Sequence, residues 1–219
     1  DIPSPDRTVM DAAQYRLDNL AKPIHSLGFL EHIAVQLAGI TGKIRLPSNS
    51  RAALCLLSGG EELPAELHAI ISAMTGARDI DVYLLTAGID RTERHAAVHT
   101  VAADHPLLII GSMGSDAPAV RTALCAAAEG GALVLPGDAA TDHIVREYCV
   151  ISPALTHYVL HLLPEMITAE IDAPAGIVGI LGLEIVRAAL HIMNDMKTFT
   201  EAKVAVAIDG AGAGRQVRE

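Results

Sequence analysis

Residues 107–138 read LLIIGSMGSDAPAVRTALCAAAEGGALVLPGD, and the change of period inside this stretch decides the fold. Leu107-Leu-Ile-Ile110 and Ala132-Leu-Val-Leu135 are short, continuous apolar runs closed by Gly111 and by Pro136-Gly137, as expected of strands buried on both faces. Between them Ala119, Val120, Ala123, Leu124 and Ala127 recur at helical spacing, which predicts a helix over Ala117–Glu129. Strand, helix and strand in this order form a parallel βαβ unit with a right-handed crossover.

Working outward, similar apolar runs predict strands at Ala52–Leu57, Val82–Ala87 and Tyr158–Leu163, with helices over Pro64–Thr75 and Ala139–Val150. The segment between the second strand and Leu107 reads as irregular. The expected class is therefore α/β, a Rossmann-like, doubly wound parallel sheet covered by helices. Upstream, residues 5–21 have a helical period that stops at Pro23. A second helix follows, with Ser26 as its expected cap, a stripe of Leu30, Ile33, Ala34, Leu37 and Ala38, and Gly39 and Gly42 at its end. A last helix is expected from about Gly176 to Val204. The expected organisation is a small helical subdomain from residues 1–48 and 190–210, an α/β domain over 50–189, and a tail at 211–219.

Composition narrows the function. Of the 219 residues, 51% are hydrophobic, with 2 Phe, 4 Tyr and no Trp, and the mean hydropathy is +0.36. Such a chain buries enough aliphatic surface to offset its ordering entropy, which excludes a disordered protein. The 16 Lys and Arg against 26 Asp and Glu give a net charge of -10, which opposes a phosphate-backbone partner, so no nucleic acid is expected. The longest uncharged apolar run, Ala173–Leu183, falls short of the roughly 20 residues a bilayer needs, so no membrane span is expected. With no basic leader followed by an apolar run, the expected location is cytoplasmic. Cys55, Cys125 and Cys149 are odd in number and lack CxxC spacing, the pattern of reduced core thiols.

In open α/β sheets ligands bind beyond the carboxyl ends of the strands. The candidate ligand residues are therefore Ser58, Gly59 and Gly60 after the first strand, Gly111, Ser112, Gly114 and Ser115 after the third, and Gly137 and Asp138 after the fourth. Gly111 to Ser115, leading into a helix, suits an anion such as phosphate, although glycines there also serve tight turns and close packing. His95 and His99 stand four apart, with His105 beyond, but lack companion ligands at a zinc-site spacing; neither a metal nor a cofactor is expected. His157 and His161 read as surface or locally hydrogen-bonded side chains. Glu165, Glu170 and Asp172 cluster after the last expected strand, where a general base could sit.

The run from Arg16 to Gly39, with Lys22, Pro23, Ser26, Leu27, Gly28, Leu30 and Glu31, resembles the opening of the nicotinate-nucleotide:dimethylbenzimidazole phosphoribosyltransferases. Looser likenesses follow at Val82–Asp90, Leu107–Gly114, Ala132–Asp138, Ile151–Ala154 and Ile192–Met196. The resemblance implies a Rossmann-like sheet with a small helical domain and a homodimer, or a heteromer with a homologue. It also implies transfer of phosphoribose to a benzimidazole nitrogen, with a glutamate as general base. Counting back from Asn194, the glutamate position falls on Ala175, beside Gly176, and a methyl group accepts no proton. Ser58-Gly59-Gly60 stands where the family has Asp-His-Gly, His25 replaces a glycine, and the Gly-Glu-Leu-Gly segment has no counterpart between Asp90 and Leu107. The resemblance thus implies a small-molecule ligand, a benzimidazole-type base or a nucleotide, and a protein without the transfer chemistry that acts as a binding protein, a regulatory protein or the partner subunit of a homologue. The alternative is an active transferase with Glu170 or Asp172 as a displaced base.

Overall fold

The computed structural model describes residues 1–60, 62–86, 88–114, 117–162, 170 and 173–203. These fall into two compact units, one drawn from residues 1–4 and 49–184, the other from residues 5–48 and 185–203.

The first unit is an α/β layer structure. Strands β1 (Ala52–Ser58), β2 (Ile80–Leu85), β3 (Leu107–Met113) and β4 (Leu133–Pro136) form one parallel sheet in the order β2-β1-β3-β4. Ala52 pairs with Ile80 on one side and Leu107 on the other, and Leu107 pairs with Leu133. The central strands β1 and β3 are buried along nearly their whole length, as their unbroken apolar runs predict. β2 is an edge strand that exposes Val82 and Leu84, and its ladder begins two residues before the apolar run that predicts it.

Helices α3 (Ala65–Gly76), α4 (Arg91–Asp104), α5 (Ala117–Glu129) and α6 (Ala139–Ile151) complete this unit. The segment expected to be irregular is in fact α4, started by a capping box in which Asp90 accepts from the Glu93 N–H and the Glu93 carboxylate accepts from the Asp90 N–H. Small side chains let α4 and α5 pack closely: a β-carbon on Gly130 would lie 2.6 Å from that of Ala102 and 3.0 Å from the His99 carbonyl oxygen. The fifth expected strand, Tyr158–Leu163, is a correction. Pro153–Tyr158 forms a 3₁₀ helix, and only Val159 makes a parallel bridge, to Val134. Pro153 fixes its own φ for a helical turn, so the chain reaches the sheet edge too late for a full ladder; Leu163 lies outside the described residues.

In the second unit, α1 (Arg7–Asn19) and α2 (Phe29–Thr41) pack through Ala13, Leu17, Ala34 and Ala38 around Met193. Arg16 donates to the carbonyls of Met193 at 3.1 Å and Met196 at 3.3 Å, and the Asn194 amide donates to Leu46 O at 2.7 Å. Gly28 caps α2 at φ 52° with no side-chain bond, which corrects the expected Ser26 cap. Helix α7 runs Ile177–Asp195, and a short α8 follows at Phe199–Ala202. Residues 204–219, with the expected tail, lie outside the described residues.

By length and composition α7 is apolar enough to cross a membrane, against the sequence expectation, because Glu184 interrupts its hydropathy without ending the helix. Its Ile180, Leu183, Val186, Ala189 and Met193 are buried within the protein.

Candidate functional site

The strand order reverses between β1 and β3, where the crevice of an open α/β sheet normally lies. Here that crevice is filled by backbone. The Gly59 N–H donates to Met113 O at 2.8 Å, and a β-carbon on Gly59 would collide with the carbonyl oxygen of Gly114. Ser58 is buried, with its hydroxyl 3.4 Å from the Gly60 N–H. Gly59, Gly60 and Gly114 are exposed, and Ser115 lies outside the described residues.

The open cleft is one step over, at the ends of β3 and β4. It measures about 330 Å³ and is lined by Ser112, Asp138, Ala139, Ala140, Ala173 and Pro174. Asp138 is its fixed point. One carboxylate oxygen accepts from the Thr141 N–H at 2.9 Å and caps α6, while the other accepts from the Ser112 N–H at 2.8 Å and ties β3 to β4. Only 4% of Asp138 is exposed, and the caps that engage both oxygens make it a positioning carboxylate.

Gly111 and Gly137 stand beneath the cleft but face the chain itself. A β-carbon on Gly111 would lie 2.7 Å from Gly176 N, and one on Gly137 would lie 2.5 Å from Gly176 Cα. Gly176, at φ 82°, passes 2.6 Å from Leu54 Cδ1 by the same measure. Ala175 is fully buried and has a left-handed φ of 57°. Position 175 therefore sits in packed backbone on the strand ends. Glu170 is exposed with φ 61° and does not line the cleft, while Glu165 and Asp172 lie outside the described residues.

One helical turn beyond Asp138, Asp142 accepts from Arg146 at 2.6 Å and from His161 at 2.8 Å. Burial pushes the Asp142 carboxyl up, but the hydrogen bonds from His161 and Arg146 outweigh it and hold it below the usual range. A depressed folded-state value makes this stabilisation complete above the unfolded carboxylate pKa of about 3.9 and removes it as pH falls through the lower folded value. Asp142→Asn should destabilise the α/β unit by about 1–3 kcal/mol at neutral pH and flatten the acid limb of a stability-versus-pH curve measured by urea unfolding. An unchanged acid limb would remove Asp142 from this role.

His95, His99, His105, Cys55 and Cys149 have local structural partners or apolar surroundings. His95 pairs with Glu129 at 3.1 Å and stacks on His99. His105 is buried and bridges Val101 O and Asp81. Burial pushes the Cys55 thiol up to about 12 and raises that of Cys149. Sequence reading missed a second cleft of about 280 Å³, where Arg91, His95, Arg121, Thr122, Cys125 and Tyr148 meet. Arg121 lies 5.3 Å over the Tyr148 ring, and the lining residues come from three helices with no shared motif.

Comparison with known proteins finds relatives for part of the chain and for its fold. A phosphoribosyltransferase family model matches residues 2–74. The nicotinate-nucleotide–dimethylbenzimidazole phosphoribosyltransferase of Clostridium tetani is 40% identical over 74 residues, covering 31% of this chain and 20% of that protein. The chain is thus similar to this phosphoribosyltransferase family over its first third. The Desulforamulus reducens member is 38% identical over 105 residues, 47% of this chain and 30% of that protein. The chain thus spans a fifth to a third of the length of these family members. CobT from Thermus thermophilus shares the fold, with a TM-score of 0.66 at 15% identity over 91% of this chain and 100% of that one.

The structure also explains the motif that carries the family likeness. Lys22 Nζ lies 2.7 Å from Glu31 Oε1, with both side chains about 5% exposed, and the same oxygen accepts from the Leu27 N–H at 3.1 Å. Lys22, Leu27, Gly28 and Glu31 thus form a clamp that sets the turn from α1 into α2.

Proposed function

We propose that this chain is a phosphoribosyltransferase-family protein that binds a small heterocyclic base of benzimidazole type without performing phosphoribosyl transfer. One observation carries the reading: Asp138, the carboxylate lining the cleft among the described residues, has both oxygens engaged by backbone N–H groups, and position 175 holds a buried methyl group. Among the described cleft-lining residues no carboxylate is left to take the proton of an attacking nitrogen. The same buried negative charge occupies the α6 N-terminus, which favours a neutral ring over the phosphate of a nucleotide. Ser112, Ala139, Ala140, Ala173 and Pro174 supply the small-residue walls such a ring would need. Ser58, Gly59, Gly60, Gly111, Gly114, Gly137 and Gly176 then act as scaffold around that cleft. Assembly as a homodimer, or with a homologue, is part of the proposal and is read out by light scattering.

The test is incubation of the full chain with nicotinate mononucleotide and dimethylbenzimidazole, with nicotinate and α-ribazole phosphate followed by mass spectrometry. Loss of a general base lowers rates by about 10²- to 10⁴-fold, so turnover should fall at least that far below an active family member assayed in parallel. Calorimetry should show binding of the base alone, weakened by Ala140→Phe. Product at rates like those of the active member, abolished by Glu170→Ala or Asp172→Ala, would overturn the proposal and establish a displaced base.

A further inference from the structure

The buried Lys22–Glu31 clamp leaves one atom unaccounted for. Glu31 Oε1 takes the ammonium and the Leu27 N–H, whereas Oε2 is buried and accepts no hydrogen bond from any described residue. A buried carboxylate oxygen left without a partner carries an uncompensated desolvation cost, so it marks a position built for a partner. Two further ligand-bearing side chains converge there. His25 Nδ1 stands 3.8 Å from Glu31 Oε2, and ligand atoms of Asp18, His25 and Glu31 all lie within 4.8 Å of one another.

We propose that Asp18, His25 and Glu31 form a divalent-cation site that clips the end of α1 to the start of α2. Asp18 comes from the last turn of α1, His25 from the connecting loop and Glu31 from the first turn of α2. The two carboxylates carry two negative charges and Lys22 returns one positive charge, which leaves the cluster net negative toward a cation on the Oε2 side. Two carboxylate oxygens and one imidazole suit Zn²⁺ or Mn²⁺ better than Ca²⁺ or Mg²⁺, which prefer all-oxygen shells. Three protein ligands leave a position open, and His25 faces solvent, so an ion enters without unfolding the unit.

His25 itself sharpens the inference. Its φ of 55° is left-handed, a conformation that disfavours a side chain and suits glycine. His25→Gly therefore removes one ligand while relieving the backbone, and it leaves the Lys22–Glu31 pair intact. This makes it the decisive variant, since it folds whether or not the site exists.

The experiment titrates the full chain with Zn²⁺, and separately with Co²⁺, by calorimetry and by Co²⁺ visible absorption. The native chain should bind one ion at this site, and its thermal midpoint should rise with Zn²⁺. His25→Gly and Asp18→Asn should each weaken binding at least ~10-fold, the scale on which disturbance of metal-site partners acts, and should abolish both the Co²⁺ spectrum and the thermal shift. His143→Ala, which removes an exposed histidine of α6 paired with Glu147, should change none of these. Zn²⁺ affinity unchanged in His25→Gly, or no Co²⁺ spectrum in the native chain, would overturn the proposal.

Discussion

Gly137→Val should destabilise the α/β unit more than any other single change at the cleft, by about 3 kcal/mol or more. The β-carbon would arrive 2.5 Å from Gly176 Cα and 3.0 Å from both Ile110 O and Ile109 Cγ2. Two of those three atoms are backbone, and backbone here is held from both sides. The Gly137 N–H donates to Ile110 O at 2.8 Å, and its carbonyl accepts from Gly179 N at 3.1 Å. Side-chain repacking therefore cannot absorb the clash, and the turn over 174–176 must lift off the strand ends. Hydrogen exchange at Ser112, Thr141 and Gly179 should accelerate together, because all three amides depend on this seating. Gly76→Ala, where nothing lies within 4 Å, is the control with the opposite sign and should stabilise by up to about 1 kcal/mol. Equal stability of Gly137→Val and the native chain would show that the turn does not rest on the sheet.

The second large effect belongs to the helical unit. Lys22→Met should destabilise it by about 3–5 kcal/mol, since it strands the Glu31 carboxylate without its cation in a nearly closed site. The double variant Lys22→Met with Glu31→Leu should recover most of that loss, because the desolvation penalty disappears with the second charge. Denaturant unfolding followed at α1 and α2 reads both values. A single variant as stable as the native protein would mean that the pair is solvated and the clamp is held by packing alone.

Legibility in the sequence followed burial. β1, β3 and β4 are flanked on both faces, so their apolar runs are unbroken; β1 and β4 agree with the sequence to within a residue, whereas β3 continues through Gly111 and Ser112 to Met113, three residues past its apolar run. β2 is an edge with exposed Asp81, Val82 and Leu84; alternation there hid its start at Ile80. Helix α4 was obscured by its polar face, although Asp90 and Glu93 at capping-box spacing were present to be read. Tyr158–Leu163 was apolar enough for a strand but lacked the ladder partners that make one.

The candidate site was less legible, because the features that define it are distances between segments far apart in sequence. Nothing near Gly111 or Gly137 announces that Gly176 fills the space their missing β-carbons leave. Asp138 was identified as a site residue from its position after a strand, but only the Ser112 bond 26 residues away reveals it as the tie between β3 and β4. The convergence of Asp18, His25 and Glu31 is not legible in the sequence, because no regular spacing joins a helix end, a loop and a helix start.

The buried, left-handed Ala175 has a consequence for the history open to this protein. A glutamate introduced there would have to enter a fully buried position, adopt a backbone geometry that disfavours its side chain, and ionise away from water. A single codon change is therefore a step downhill in fitness for folding before it can be a step toward chemistry. Any lineage placing a base at this position must first remodel the strand ends, so the close-packed glycines act as an evolutionary ratchet.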